Sequence, residues 1–279
     1  MSEEIVRVNP KIKAGSFIQA GHLSFQHLDW VSPYLRLEQP GCLALIADDE
    51  IKALISVKPE NPPVAWIRLF VCLRDGRHAH YFSQLLQKSL PYLKSEGVTQ
   101  LYTLALADWT EALFAANGFS INTQIITLMR EIEIESAQIS TPPGFFIRPM
   151  TARDLDAVQT LDEQAFPPAW QMNRLSLQHA YQDSNYSTVA VASGHIVGYQ
   201  ISTSTLSFAH LARLAVAPEA QHQHLGRALV QNVFMDCLEK GITTLSVNTQ
   251  SDNATSLKFY QSLGFQQEGK LIPVYRKDL

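Results

Sequence analysis

Residues 210–238 read HLARLAVAPEAQHQHLGRALVQNVFMDCL: a buried strand, a short polar loop and an amphipathic helix in direct succession. Leu214 and Val216 fall on one face of the strand and Leu211 and Ala215 on the other, the alternation expected where both faces are covered. Pro218 stops the strand. Leu225, Leu229, Val233 and Cys237, with Val230, Phe234 and Leu238 beside them, then form a wide apolar stripe at helical spacing, and Gly241 is placed to cap its end. The polar loop 221–226 lies between. The first free N–H groups of the helix, with its positive dipole end, therefore open beyond the strand, and an anion is their natural occupant.

The loop Gln221-His222-Gln223-His224-Leu225-Gly226 resembles the acyl-CoA pyrophosphate loop of the GNAT N-acetyltransferase superfamily: Gln or Arg, two residues, Gly, one residue, then Gly or Ala. Gln221 and Gly226 fit, and His224 stands where the first glycine would be. A second stretch, NATSLKFYQSLGF at 253–265, resembles the family's following segment through Asn253, Tyr260, Leu263, Gly264 and Phe265. The strand-like segment 244–248 lies between the two, as that fold requires. The resemblance implies an α/β (α+β) chain of two tandem GNAT folds, each a mixed, mostly antiparallel sheet flanked by helices. It also implies acetyl-CoA as co-substrate, contacted by Leu214, Ala215 and Val216 on the strand, by Gln221, His222, Gln223, His224, Leu225, Gly226, Arg227 and Ala228 at the loop and helix start, and by Asn253.

A chain of 279 residues has room for two domains, each with a core of its own. With 46% hydrophobic and 17% charged residues the composition is that of a folded chain. The net charge of −4, without any run of Lys or Arg, argues against a nucleic-acid partner. Cys42, Cys72 and Cys237 are far apart in apolar runs and read as core residues, with neither disulfide nor metal implied. The polar start MSEEIVRVNPK and the lack of any long apolar run point away from a membrane and toward the cytoplasm.

The chain also repeats itself. Residues 43–57, LALIADDEIKALISV, and 188–202, TVAVASGHIVGYQIS, are both hairpin-like. Ala47 and Ile51 map onto Ala192 and Ile196 at an offset of 192 − 47 = 145, as do Arg68, Leu69 and Val71 onto Arg213, Leu214 and Val216, while Gly118-Phe119 maps onto Gly264-Phe265 one residue later. Residues 135–144, rich in Ser, Thr and Pro, read as a linker between a degenerate GNAT-like domain at 1–134 and a GNAT N-acetyltransferase domain at 145–279. Thr151 and Asp154 form a capping-box pattern ahead of a helix with Leu155, Val158 and Leu161. In the first copy Tyr81 and Phe82 stand near the register of Gly226, and Phe114 replaces Tyr260, so cofactor binding is expected in the second copy alone.

Acetyl transfer to an amine needs a base, a polarised carbonyl and an acid for the leaving thiolate. His210 resembles, by its place on the central strand, the base of some family members; the alternative is a histidine merely at a strand end. A backbone N–H near Val216 would polarise the carbonyl. The resemblance gives Tyr260 the role of acid, with packing beside Leu257 and Leu263 as the alternative. Asn253 can cap its helix, and the resemblance has it meet the pantetheine; the two roles are compatible. His222 and His224 have no third ligand nearby, so no metal is expected. In AFPPAWQ (165–171), Phe166 and Trp170 are placed to wall the acceptor site or to anchor a loop; this segment resembles that of ribosomal-protein N-terminal acetyltransferases. The acceptor is then a small-molecule or peptide amine. A CoA-binding or protein-interaction module without turnover is the reading of another class, raised by His224.

Overall fold

The computed structural model describes every residue except 1, 2, 10, 11, 21, 28 and 134–140. Residues 135–140 of the expected linker thus lie outside the described residues. The chain forms two compact units, Met1–Thr123 with Ile272–Leu279, and Gln124–Leu271. These differ from the stretches 1–134 and 145–279 in one respect, the placing of the last strand of each copy.

The first unit contains β1 (Glu4–Arg7), α1 (Ala14–Gln19), β2 (Leu23–Gln26), α2 (Pro33–Leu37), β3 (Cys42–Ala47), β4 (Glu50–Asn61), β5 (Val64–Cys72), α3 (His78–Ser95), β6 (Gln100–Leu104) and α4 (Trp109–Ala116). The next strand, β7 (Ser120–Glu131), pairs from Ile125 to Glu131 with β12 (Thr244–Gln250) of the second unit. The second unit otherwise holds β8 (Phe146–Pro149), α5 (Leu155–Ala165), α6 (Arg174–Asp183), β9 (Tyr186–Ala192), β10 (His195–Ser204), β11 (Ala209–Val216), α7 (Leu225–Glu239) and α8 (Ala254–Ser262). The last strand, β13 (Gln266–Asp278), returns to the first unit, where Val274–Asp278 pairs with β6. Each copy therefore supplies the strand that completes the other's ladder.

Both hairpins form where alternating runs flank a two-residue turn. Asp48 and Asp49 take φ of 54° and 58°, and Ser193 and Gly194 take 48° and 81°, the left-handed pair that suits the twist of antiparallel strands. The capping box at Thr151 is complete, and Arg148 grips Asp154 through two hydrogen bonds of 2.7 Å. That grip holds the Asp154 carboxyl down at about 2 and ties β8 to the start of α5. The α7 stripe buries Val230, Val233, Phe234 and Cys237 against Leu211, Leu245 and Val247. The Cys237 thiol is pushed up to about 11 by burial, and those of Cys42 and Cys72 to about 12.

One face assignment on β11 needs correction. Against β10, Arg213 lies opposite Ile201 and Leu211 opposite Ser202, so Ala212 is an extra residue, a β-bulge. Residues opposite one another share a face. Leu211 therefore joins Leu214 and Val216 rather than Ala215, and His210 joins Arg213.

Candidate active site

In the second unit, β11 and β12 run parallel and pair only from Ala209–Leu245 to Leu211–Val247. Beyond Leu211 the two strands part, and among the described residues no strand pairs with Arg213–Val216 on that side. Ala217 N–H donates to the Val197 carbonyl at 2.8 Å. By the alternation of an antiparallel ladder, Ala215 N–H turns toward β10 while those of Leu214 and Val216 turn into the gap. The Val216 carbonyl receives the Gln221 side-chain amide at 3.2 Å.

The chain then passes through a short turn into α7, whose first intrahelical bond to the loop runs from Ala228 N–H to His224 O at 3.1 Å. The N–H groups of Leu225, Gly226 and Arg227 are left to point out of the helix. No side chain caps this end. His222 and His224 take φ of 59° and 62°, a conformation that favours glycine and that a histidine holds at a cost on the order of 1 kcal/mol. His224 keeps the glycine backbone without the glycine. At Gly226 an added Cβ would meet the Phe259 ring at 3.3 Å, so the helix start is closely backed by α8.

Tyr260 is buried on α8 between Phe259 and Phe265, with ring centroids 5.1 and 5.5 Å away. Burial pushes its phenol well above the ordinary tyrosine value. Among the described residues its hydroxyl has no hydrogen-bond partner. Asn253 caps α8, accepting from Ser256 N–H at 3.1 Å. On β11, His210 Nδ1 lies 2.7 Å from Ser246 Oγ, and burial lowers the imidazole below its ordinary value. His222 and Gln223 lie exposed in the loop, where Gln223 donates to Glu219 O at 3.0 Å, and Arg227 reaches Ser262 Oγ at 3.2 Å.

A model of the acetyltransferase (GNAT) family matches residues 155–265. The [ribosomal protein bS18]-alanine N-acetyltransferase of Escherichia coli K12 is 26% identical over 121 residues, 43% of this chain and 80% of that one. An uncharacterized N-acetyltransferase of Methanocaldococcus jannaschii is 28% identical over 136 residues, covering 47% of this chain and 84% of that one. Residues 155–265 thus belong to the GNAT acetyltransferase family. The fold agrees along the whole length: a tandem GNAT protein from the clavulanic acid biosynthesis pathway superposes with a TM-score of 0.63 at 14% identity, over 99% of this chain and 98% of that one. A probable N-acyltransferase of Enterococcus faecalis V583 gives 0.71 at 10% identity, over 100% and 73%. Over its whole length the fold is thus that of tandem GNAT proteins.

In the second unit the segment between α5 and α6 carries Phe166 and Trp170, and both meet one side chain. The Arg213 guanidinium lies 3.6 Å from the Phe166 ring centroid and donates to the Trp170 carbonyl at 2.7 Å. Sequence reasoning used Arg213 only as a marker of the repeat, and it missed Asp162 and Tyr199. Asp162 is fully buried and accepts from Arg213 Nε at 2.8 Å, from the Tyr199 hydroxyl and from Met172 N–H at 2.7 Å. A signal was available: Asp162 follows Val158 by four, a carboxylate on the apolar face of α5.

The first unit places a strand where the second has its gap. β5 pairs in parallel with β6 only from Val64–Gln100 to Trp66–Tyr102. Beyond that, β2 lies antiparallel on β5, from Leu23–Cys72 to Gln26–Leu69. At the offset of 145, Leu69–Cys72 corresponds to Leu214–Ala217. Phe25 of β2 stands edge-on to Phe114, with centroids 5.4 Å apart.

Proposed function

We propose that the second unit transfers an acetyl group from acetyl-CoA directly to the amine of a peptide or protein. The observation that carries this reading is the parting of β11 from β12 beside the open start of α7. A thioester arm laid along β11 meets the Leu214 and Val216 N–H groups as an added strand would, and its pyrophosphate meets the N–H groups of residues 225–227. Gln221, His222, Gln223, His224 and Ala228 line or back that turn, Ala215 supports the strand, and Asn253 orders the facing end of α8. The thioester carbonyl is polarised by one of the strand donors.

The remaining steps are proton transfers. The amine nitrogen attacks the carbonyl carbon, the C–S bond breaks, and the ammonium proton leaves to a base. The Ser246 hydroxyl donates to Ala209 O at 3.4 Å, so His210 Nδ1–H donates to Ser246 and Nε2 keeps its lone pair for that proton. An α-amine, with a pKa of about 8, presents a far larger neutral fraction at pH 7 than a lysine at about 10.4. Tyr260, kept protonated by burial, supplies the thiolate with its proton. Phe166 and Trp170 wall the acceptor side. A peptide α-amine is favoured over a small amine by the likeness to the bS18-alanine enzymes.

We further propose that the first unit takes up no acyl-CoA, because β2 already lies on the corresponding edge of β5. Full-length protein titrated calorimetrically with acetyl-CoA should therefore bind one molecule per chain. The activity itself is tested by following free thiol released from acetyl-CoA over peptides with varied N-termini and small amines. Turnover with peptides supports the proposal. Intact acetyl-CoA binding with no thiol release from any amine would favour a binding module instead, the reading that His224 in the glycine position supports.

A further inference from the structure

The segment between the first two helices of each copy takes a different course in each unit. In the first it is β2, paired with the central strand. In the second, residues 166–173 pair with nothing in a ladder, yet they are tied down at three points by one buried ion pair. Asp162 and Arg213 form its centre, joined by hydrogen bonds of 2.8 Å from Nε and 2.5 Å from Nη2 to one carboxylate oxygen. Tyr199, wholly buried, donates its hydroxyl to the same oxygen.

From that centre, Asp162 Oδ1 takes Met172 N–H at 2.7 Å, Arg213 Nη2 holds Trp170 O at 2.7 Å, and the guanidinium plane covers Phe166. Gln171 closes the loop on itself by donating to the Glu163 and Phe166 carbonyls, each at 2.9 Å. Two of the three ties reach backbone groups, so they dictate the path of the loop whatever its side chains. The pair also cross-links α5 to β11 and, through Tyr199, to β10; the donors and acceptors left over go to a single loop.

The bulge at Ala212 makes the arrangement possible. Three residues apart on a regular strand, His210 and Arg213 would face opposite sides. With the extra residue they share the side of Tyr199, toward α5. Pro167 and Pro168 supply no N–H, so this loop cannot build the ladder that β2 builds in the first unit. The prolines deny it the edge of β11, and the ion pair decides where it goes instead.

We propose that Arg213, clamped by Asp162 and Tyr199, is the positioning residue for the acceptor: it holds Phe166–Met172 as a preformed wall on the side of the sheet where His210 stands, and so sets the affinity for the acceptor amine. The assignment of that wall to the acceptor rests on the proposed transferase reading. A lysine at 213 keeps the charge but cannot hold Asp162, Trp170 O and the Phe166 ring together.

The test uses full-length protein with acetyl-CoA bound. In Arg213→Lys, amide exchange across 166–172 should quicken at least tenfold, and the KM for the best peptide acceptor should rise at least tenfold. kcat and the acetyl-CoA Kd should each stay within about threefold. Tyr199→Phe removes one bond to Asp162 and guards against a misfolded lysine variant; it should shift the same two quantities in the same direction, by less. Unchanged exchange in a folded Arg213→Lys protein overturns the proposal, as does faster exchange with an unchanged acceptor KM. A uniform fall in kcat, acetyl-CoA affinity and melting temperature would reduce the ion pair to scaffold and overturn it too. If wild type acetylates no amine, the transferase reading fails separately, and unprotected amides at 166–172 in wild type would overturn the clamp itself.

Discussion

The two units carry the same fork in the sheet and treat it in opposite ways. In both, the central strand pairs in parallel with its neighbour for three residues and then diverges, β5 from β6 and β11 from β12. In the first the released edge is covered by four residues of β2; in the second no strand among the described residues pairs with that edge at Leu214 and Val216. The arginines 145 residues apart differ accordingly. Arg68 turns to Glu60, at 2.9 Å from Nε, and its carbonyl takes His27 N–H at 2.9 Å, just beyond β2. Arg213 turns to Asp162 and holds its loop off the edge. An inherited fork is therefore only a potential site. What the adjoining loop does with its backbone donors decides whether a ligand can use it.

The comparison can be broken most severely at α8 and α4. Tyr260→Phe gives the second unit the first unit's residue, and kcat should fall roughly ten- to a thousandfold with acetyl-CoA affinity nearly intact. Phe114→Tyr should restore nothing, since Phe25 covers that ring. Steady-state kinetics beside calorimetry reads both, and an unchanged kcat removes Tyr260 from the mechanism.

Next come the two loops. Gly226→Val sets a side chain against the Phe259 ring and over the helix donors, and should weaken acetyl-CoA binding by about 10- to 100-fold. Gly76→Val, at φ of 80° with nothing within 4 Å, should cost stability alone. Comparable losses of affinity from both would mean that the first unit binds cofactor after all.

A smaller effect is expected at His210. Burial lowers its pKa, so the neutral, proton-accepting form persists below the ordinary value of about 6.5. The acidic limb of kcat/KM, where activity falls as the imidazole takes its proton, should accordingly lie below that value. His210→Ala should cost roughly tenfold at neutral pH and displace the limb; a limb that stays in place assigns the base elsewhere.

The smallest change sharpens the comparison instead. His224→Gly removes strain on the order of 1 kcal/mol, so the melting temperature should rise slightly and acetyl-CoA should bind equally well or more tightly. Binding weakened more than about tenfold would make the imidazole itself a ligand contact.

Much of this was legible along the chain. The strand, loop and helix at 210–238, the Asn253 to Phe265 segment, the hairpin turns and the repeat all depend on residues near one another in sequence, whose spacing mirrors local geometry. His224 was legible as a departure from the glycine pattern, and its φ of 62° is what that position demands. The bulge at Ala212 was not, because an extra residue in a ladder exists only relative to β10; it reversed the face of Leu211 and set His210 beside Arg213.

By itself, then, the sequence determined the elements, their order, the duplication and the family motifs, since periodicity, capping and turn chemistry act over a few residues. The tertiary structure alone decided three things. It exchanged the last strands between the copies, filled one fork with β2, and joined Asp162 to Arg213 across 51 residues. Each is a contest for backbone donors or a buried charge among distant partners. Such contests are settled by which ladder and which ion pair can be satisfied together in the folded chain, and the local pattern of either partner holds no record of the outcome.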